Sequence, residues 1–131
     1  MIARAIVLLC VLGISSAAIT PARTSPLTQL PMIYVEPSRG SIQDWFVFTG
    51  EGFEPGSPIW VIFFAPDNSI WDLVDSPVVA TDEGTFRLPI LPEMDLALVP
   101  GNPTTVQLGL WIVRFALSEE TWYEQTFVVL P

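Results

Sequence analysis

From residue 32 onward the chain is a series of short apolar runs, each cut by residues that turn the backbone, and a helical 3.6-residue period is nowhere sustained. A short run can bury a face only by pairing with others, so the pattern predicts strands. They fall at 33–36, 44–49, 59–65, 70–74, 78–81, 85–90, 106–117 and 122–130. The breaks have mechanisms. In Glu54-Pro55-Gly56-Ser57, Pro presets φ and Gly accepts a positive φ, which suits a type II turn. Pro66-Asp67-Asn68 suits a type I turn. Gly84 in Thr81-Asp82-Glu83-Gly84 supplies the left-handed residue of a hairpin loop, which would pair runs 78–81 and 85–90. Pro100-Gly101-Asn102-Pro103 closes the long connection. Seven or eight antiparallel strands at this spacing predict an all-β sandwich or small barrel.

Residues 1–18 stand apart from this pattern. One Arg precedes an unbroken apolar run at 5–14, and Ser15-Ser16-Ala17-Ala18 follows, the order of a secretory signal peptide cleaved after Ala17 or Ala18. Ten apolar residues are too few to cross a hydrocarbon core, which needs about 20, so no membrane insertion is expected once the signal is removed. Cys10 is preceded by Leu9 rather than a small residue, so lipidation is not expected. Residues 19–31, rich in Pro, Thr and Ser, read as an extended leader. Residues 32–131 form one domain, with no second domain or C-terminal anchor expected. The expected localisation is secreted, extracellular or periplasmic.

Cleavage would leave four Arg against 14 Asp and Glu, a net charge of −10, and the chain has no Lys and no His. With no basic patch to neutralise phosphates, nucleic acid is excluded as a partner. The same shortage removes catalytic equipment. Without His, Lys or a mature Cys there is no usual base or activated nucleophile, and zinc lacks its ligands. Carboxylates remain. Asp44, Glu51 and Glu54 near one end of the sandwich would be the pair-forming acids of a small glycosidase, but their spacing is that of ordinary loop acids. Calcium needs only oxygen ligands, and Asp67, Asn68, Asp72, Asp75, Asp82 and Glu83 crowd two turns. No loop has Asp at alternating positions with a closing Glu, and these are ordinary turn residues. The expectation is a protein that is not an enzyme, with no metal and no cofactor.

Val35-Glu36-Pro37-Ser38-Arg39-Gly40 followed by Phe46-Val47-Phe48-Thr49-Gly50-Glu51-Gly52-Phe53-Glu54-Pro55-Gly56 resembles the opening of bacterial extracellular immunoglobulin-like domains of the IPT/TIG kind. Thr81-Asp82-Glu83-Gly84-Thr85-Phe86 looks like that family's hairpin, Gly109-Leu110-Trp111 stands where it carries Gly-x-Tyr, and Phe127-Val128-Val129 resembles its closing strand. The likeness spans about the last hundred residues. It departs from the family in the insert at 93–105, which leaves the strand order around it open, and in its five Trp. The resemblance implies an immunoglobulin-like β-sandwich of seven to eight antiparallel strands, used in envelope or secreted proteins for spacing or binding. It brings no catalytic residues. In physical terms, Gly50 and Gly52 would let the backbone turn so that Phe53 plugs one end of the core.

Alternation along the runs singles out one surface. In run 59–65, Ile59, Val61 and Phe63 share one face and Trp60, Ile62 and Phe64 the other, and both sets are apolar. Runs 106–117 and 122–130 add Leu110, Ile112, Trp122 and Val128. In an immunoglobulin-like sandwich these three strands are neighbours, and the sheet can bury only one face. The family's register puts Trp60, Ile62, Phe64, Leu110, Ile112, Trp122 and Val128 outside, with Trp111 in the core. An apolar patch of that extent marks an interaction surface for a protein partner or a homo-oligomer. Carbohydrate is the alternative partner, bound on an exposed platform of Trp45, Trp60 and Trp122. The leader or the 93–105 insert folding over the face would cancel both readings.

Overall fold

A computed structural model of the chain describes residues 30–72, 77–99 and 102–131. The signal segment, nearly all of the leader, Asp75 and Pro100-Gly101 lie outside the described residues. Nine strands are described: β1 (Met32–Glu36), β2 (Arg39–Ser41), β3 (Phe46–Glu51), β4 (Pro58–Phe64), β5 (Ile70–Asp72), β6 (Val78–Val79), β7 (Phe86–Ile90), β8 (Gly109–Ala116) and β9 (Trp122–Leu130). One helical turn, α1 (Pro92–Asp95), and a 3₁₀ turn at Pro103–Thr105 interrupt them. The strands form two sheets, β2-β9-β8-β4-β5 with β6 also on β4, and β1-β3-β7. The chain is an all-β sandwich.

Period-two alternation builds the core. Phe46 and Phe48 from β3 face Phe63, Trp111, Phe115 and Phe127 of the larger sheet, and all six are fully buried. Phe48 sits centrally, with ring centroids 5.5 Å from Phe127, 5.8 Å from Phe115 and 6.5 Å from Phe63. Burying each such ring is worth about 1.5–3 kcal/mol, which lets the sandwich hold without a disulfide. Among the described residues no polar or charged side chain is buried. Phe53 plugs one end against Phe86 and Tyr123, as expected, and Gly52 there has φ of 83°. Gly50 plays a different part. It lies within β3 opposite Phe86, whose ring occupies the space a Cβ would need.

The turns follow their residue chemistry. Ser57 N–H donates to Glu54 O at 3.0 Å and Gly56 has φ of 78°. Asn68 N–H donates to Ala65 O at 2.8 Å and Asn68 itself is left-handed, at φ 71°. Gly84 repeats that form, with N–H donating to Thr81 O at 2.9 Å and φ of 77°. Both are type I turns closed by a left-handed residue, a known three-residue hairpin loop.

Three features depart from the expected organisation. The Arg39–Ser41 strand is additional, and it pairs parallel with β9, Val128 opposite Arg39, so the larger sheet is mixed. Three residues with a central Gly carry no alternation to read. Runs 78–81 and 85–90 do not share a sheet: β6 pairs with β4, whereas β7 pairs with β3. The reason is Phe86, which must enter the core above Gly50 and so carries β7 across to the smaller sheet. The described residues of the insert do not lie over the outer face. Leu96, Ala97 and Val106 are buried in the core, and Glu93 N–H donates to Ile42 O at 3.0 Å, so the insert closes one end of the sandwich.

The Asp67 turn and the smaller sheet set a pH response. Ser69 donates its hydroxyl to Asp67 at 2.6 Å and its amide at 2.9 Å, holding that carboxyl below the usual carboxylate range. Its contribution is present above the unfolded pKa of about 3.9 and is lost as pH falls through the lower folded value. Tyr34, hydrogen-bonded to Glu51, has its phenol held above its ordinary value. That contribution is present below about pH 10 and is lost as pH rises through the raised value. With no His to titrate between them, unfolding free energy should stay flat from pH 6 to 9. Denaturant titrations across this range check it, and a step between pH 6 and 7 would contradict it.

Candidate functional site

Strands β4, β8 and β9 are neighbours, and their registers set the outer face residue by residue. Trp60, Ala116 and Trp122 form one row, Ile62, Arg114 and Glu124 the next, and Phe64, Ile112 and Thr126 a third. Leu110 opposite Val128 makes the fourth. All seven sequence-predicted positions therefore come together on this face. Trp60, Leu110 and Trp122 are 46%, 51% and 42% exposed, and Ile62, Phe64, Ile112 and Val128 are half-buried among them. Exposed Ile70 extends the face, since β5 pairs it with Phe64.

The face is not flat. Adjacent strands are about 4.8 Å apart, so Trp60 and Trp122 rise roughly 10 Å from each other with only the Ala116 methyl between them. The result is a slot of about 320 Å³, walled by the two indoles, with Ile62 and Arg114 at one end and Ser118 and Glu119 at the other. Arg114 is fixed from three sides. Its Nη2 donates to Glu124 Oε2 at 3.0 Å and its Nε to the same oxygen at 3.2 Å. Its guanidinium lies 4.4 Å from the Trp122 ring centroid and 4.9 Å from that of Phe64. The ion pair is partly exposed and worth at most about 1 kcal/mol. Its effect is to hold Trp122 upright and cover part of that ring.

Apolar alternation alone does not identify Arg114, Ala116 or Glu119 as part of the site. The available signal is Arg114 itself, a single charge in the outward series Leu110, Ile112, Arg114. Trp45 does not join the platform. It is 55% exposed but directly precedes β3 of the other sheet. Trp111 is fully buried, with Nε1 donating to Gln107 O at 2.9 Å.

Other surfaces are ordinary by comparison. The smaller sheet turns Tyr34, Glu36, Thr49, Glu51 and Arg87 outward beside Met32, Val47 and Pro89, a mixture in which polar side chains predominate. The sheet edges are blunted. β7 carries Pro89, β5 and β6 are very short, and Gln125 closes a gap between the sheets, its Nε2 donating to Ile33 O and its Oε1 accepting from Thr126 N–H.

Of the candidate acids for hydrolysis, Asp44 is far from Glu51. Asp44 precedes β3, where it accepts from Ser41 N–H at 2.7 Å, whereas Glu51 ends that strand. At about 3.3 Å per residue they lie roughly 20 Å apart, beyond the 5–9.5 Å of paired glycosidase carboxylates. Among the described residues no three His, Cys, Asp or Glu gather as a group able to hold a metal ion. Nor is any described helix long and apolar enough to cross a membrane. In comparisons with known proteins, no family model and no curated protein matches this chain.

Proposed function

We propose that this chain is a non-catalytic exported module, an immunoglobulin-like domain of the IPT/TIG kind, that binds a protein partner or a second copy through the outer face of its larger sheet. The observation that carries the reading is the slot between Trp60 and Trp122, set in a face that also carries Ile62, Phe64, Ile112, Leu110 and Val128. Exposed tryptophans beside a stacked arginine are the residue types that dominate binding hot spots. The apolar side chains exposed at the insert end, Met94, Leu98, Val99 and Leu108, include no tryptophan. Export rests on the order of charge, apolar run and small residues in 1–18, and placement in the secreted or envelope compartment follows from it.

The test is the double variant Trp60→Ser with Ile112→Ser. Both side chains lie on the outer face, so the fold should survive with a loss of about 1–2 kcal/mol. Light scattering should show any self-association abolished, and a photo-crosslinker at position 112 in the native host should capture a partner that one at position 36 does not. A double variant that fails to fold would make these residues core and end the reading.

Carbohydrate binding has one observation in its favour, because two exposed tryptophans line the slot. Its platform is reduced, with Trp45 on the other sheet and Arg114 covering part of Trp122. Binding on a glycan array that is lost in Trp60→Ser would select it.

A further inference from the structure

We propose that the slot between Trp60 and Trp122 receives an arginine or lysine side chain from a basic protein partner; this rests on the outer-face reading above and narrows it. The width comes first. Two strand spacings, roughly 10 Å, separate Trp60 from Trp122 at the backbone, and the slot of about 320 Å³ that they line is large enough to admit an arginine or lysine side chain. The flat faces of Trp are also the best side-chain surface for a cation.

The sheet already contains this arrangement within one chain. Arg114 lies 4.4 Å from the Trp122 centroid and is bound at 3.0 Å by Glu124. That carboxylate neutralises the base that lines the slot, while the other base of this face, Arg39, stands opposite Val128 on β2. At the opposite end of the slot stands Glu119, which accepts no hydrogen bond among the described residues, so its oxygens are open to a donor. Asp72, opposite Ile62 on β5, adds negative charge to the same face.

Charge then separates the occupants. The chain carries 14 acids against five bases, so a basic partner is drawn toward it and a second copy is repelled. Among the described residues the other bases are Arg39, on β2, and Arg87, on the far sheet. A second copy therefore offers few bases to this face, two among its described residues besides the Glu124-bound Arg114.

The probe is a ten-residue peptide alternating Arg and Ser, compared with a twin in which citrulline, the neutral isostere, replaces each Arg. Titrations of the full chain at about 0.15 M salt, read by tryptophan fluorescence, should show the Arg peptide binding about tenfold tighter than its twin. Trp60→Ser and Trp122→Ser should each weaken it about tenfold, while Glu36→Gln on the other sheet should change it by less than about twofold. In the unaltered protein, the Ala116 methyl resonance should shift on adding the Arg peptide, a readout that needs no variant. Equal binding of the two peptides, Trp variants that bind like the parent, or an unmoved Ala116 methyl would overturn the proposal. If the Arg peptide fails while Trp60→Ser with Ile112→Ser still breaks an association, the cationic occupant is wrong and the outer-face reading stands. If both fail, both are wrong.

Discussion

Replacing Trp111 with alanine should destabilise the sandwich by about 3–5 kcal/mol. Trp111 is fully buried between the sheets, stacked on Phe127 at 6.2 Å and met edge-on by Trp71 at 5.7 Å and Phe63 at 6.4 Å. Truncation leaves a cavity those rigid rings cannot collapse into. It also leaves the Gln107 carbonyl without the indole N–H that donates to it at 2.9 Å. With no disulfide to support the fold, the loss is a large share of the 5–15 kcal/mol typical of a domain. The melting temperature should fall by on the order of 20 °C. Thermal unfolding followed by circular dichroism checks this, with Trp60→Ser as the contrast, since that indole is on the outer face and its loss should cost about 1 kcal/mol or less. Similar losses for the two would mean that Trp111 does not anchor the core.

Gly84→Ala is the second large effect, at about 3 kcal/mol or more. Two costs coincide there. Gly84 holds φ of 77°, and an added methyl would overlap the backbone carbonyl oxygen of Phe53. Phe53 cannot retreat easily, because its N–H donates to Gly84 O at 3.1 Å and its ring is held between Phe86 and Tyr123. Gly56 separates the two costs. Its φ of 78° is nearly the same, but nothing lies within 4 Å of where its Cβ would be. Gly56→Ala should therefore cost only about 1 kcal/mol. Denaturant unfolding of both variants makes the comparison. Equal losses would show that the Phe53 carbonyl yields and that backbone conformation alone sets the cost.

Much of the candidate face is legible in the amino-acid sequence. Alternation is a local property with a period of two, so grouping Trp60 with Ile62 and Phe64, or Leu110 with Ile112, needs no tertiary information. Choosing the outer group does, because both faces of 59–65 are apolar and the pattern cannot decide between them. The register of the immunoglobulin-like domains that the chain resembles offers the choice as an expectation, and Ile59, Val61 and Phe63 pack in the core. Arg114 and Glu124 are readable as charges but not as a pair, since ten residues separate them and only the β8–β9 register sets them opposite each other.

The amino-acid sequence by itself determined every strand but Arg39–Ser41, the turns at Gly56, Asn68 and Gly84, the left-handed residues Gly56 and Gly84, and the grouping of side chains on each strand. It also determined the acidity and the lack of His and Lys. These depend on backbone sterics and composition, which act over a few residues. Sheet membership was decided only by tertiary structure. The parallel Arg39–Ser41 strand exists because β9 offers it hydrogen bonds at Val128, and β7 leaves β6 because Phe86 fits over Gly50. Trp45 was parted from Trp60 and Trp122 in the same way, and the slot exists because Ala116 falls between two tryptophans brought together from strands far apart in the chain. Such pairings are long-range contacts, whose energies depend on partners that no local pattern specifies.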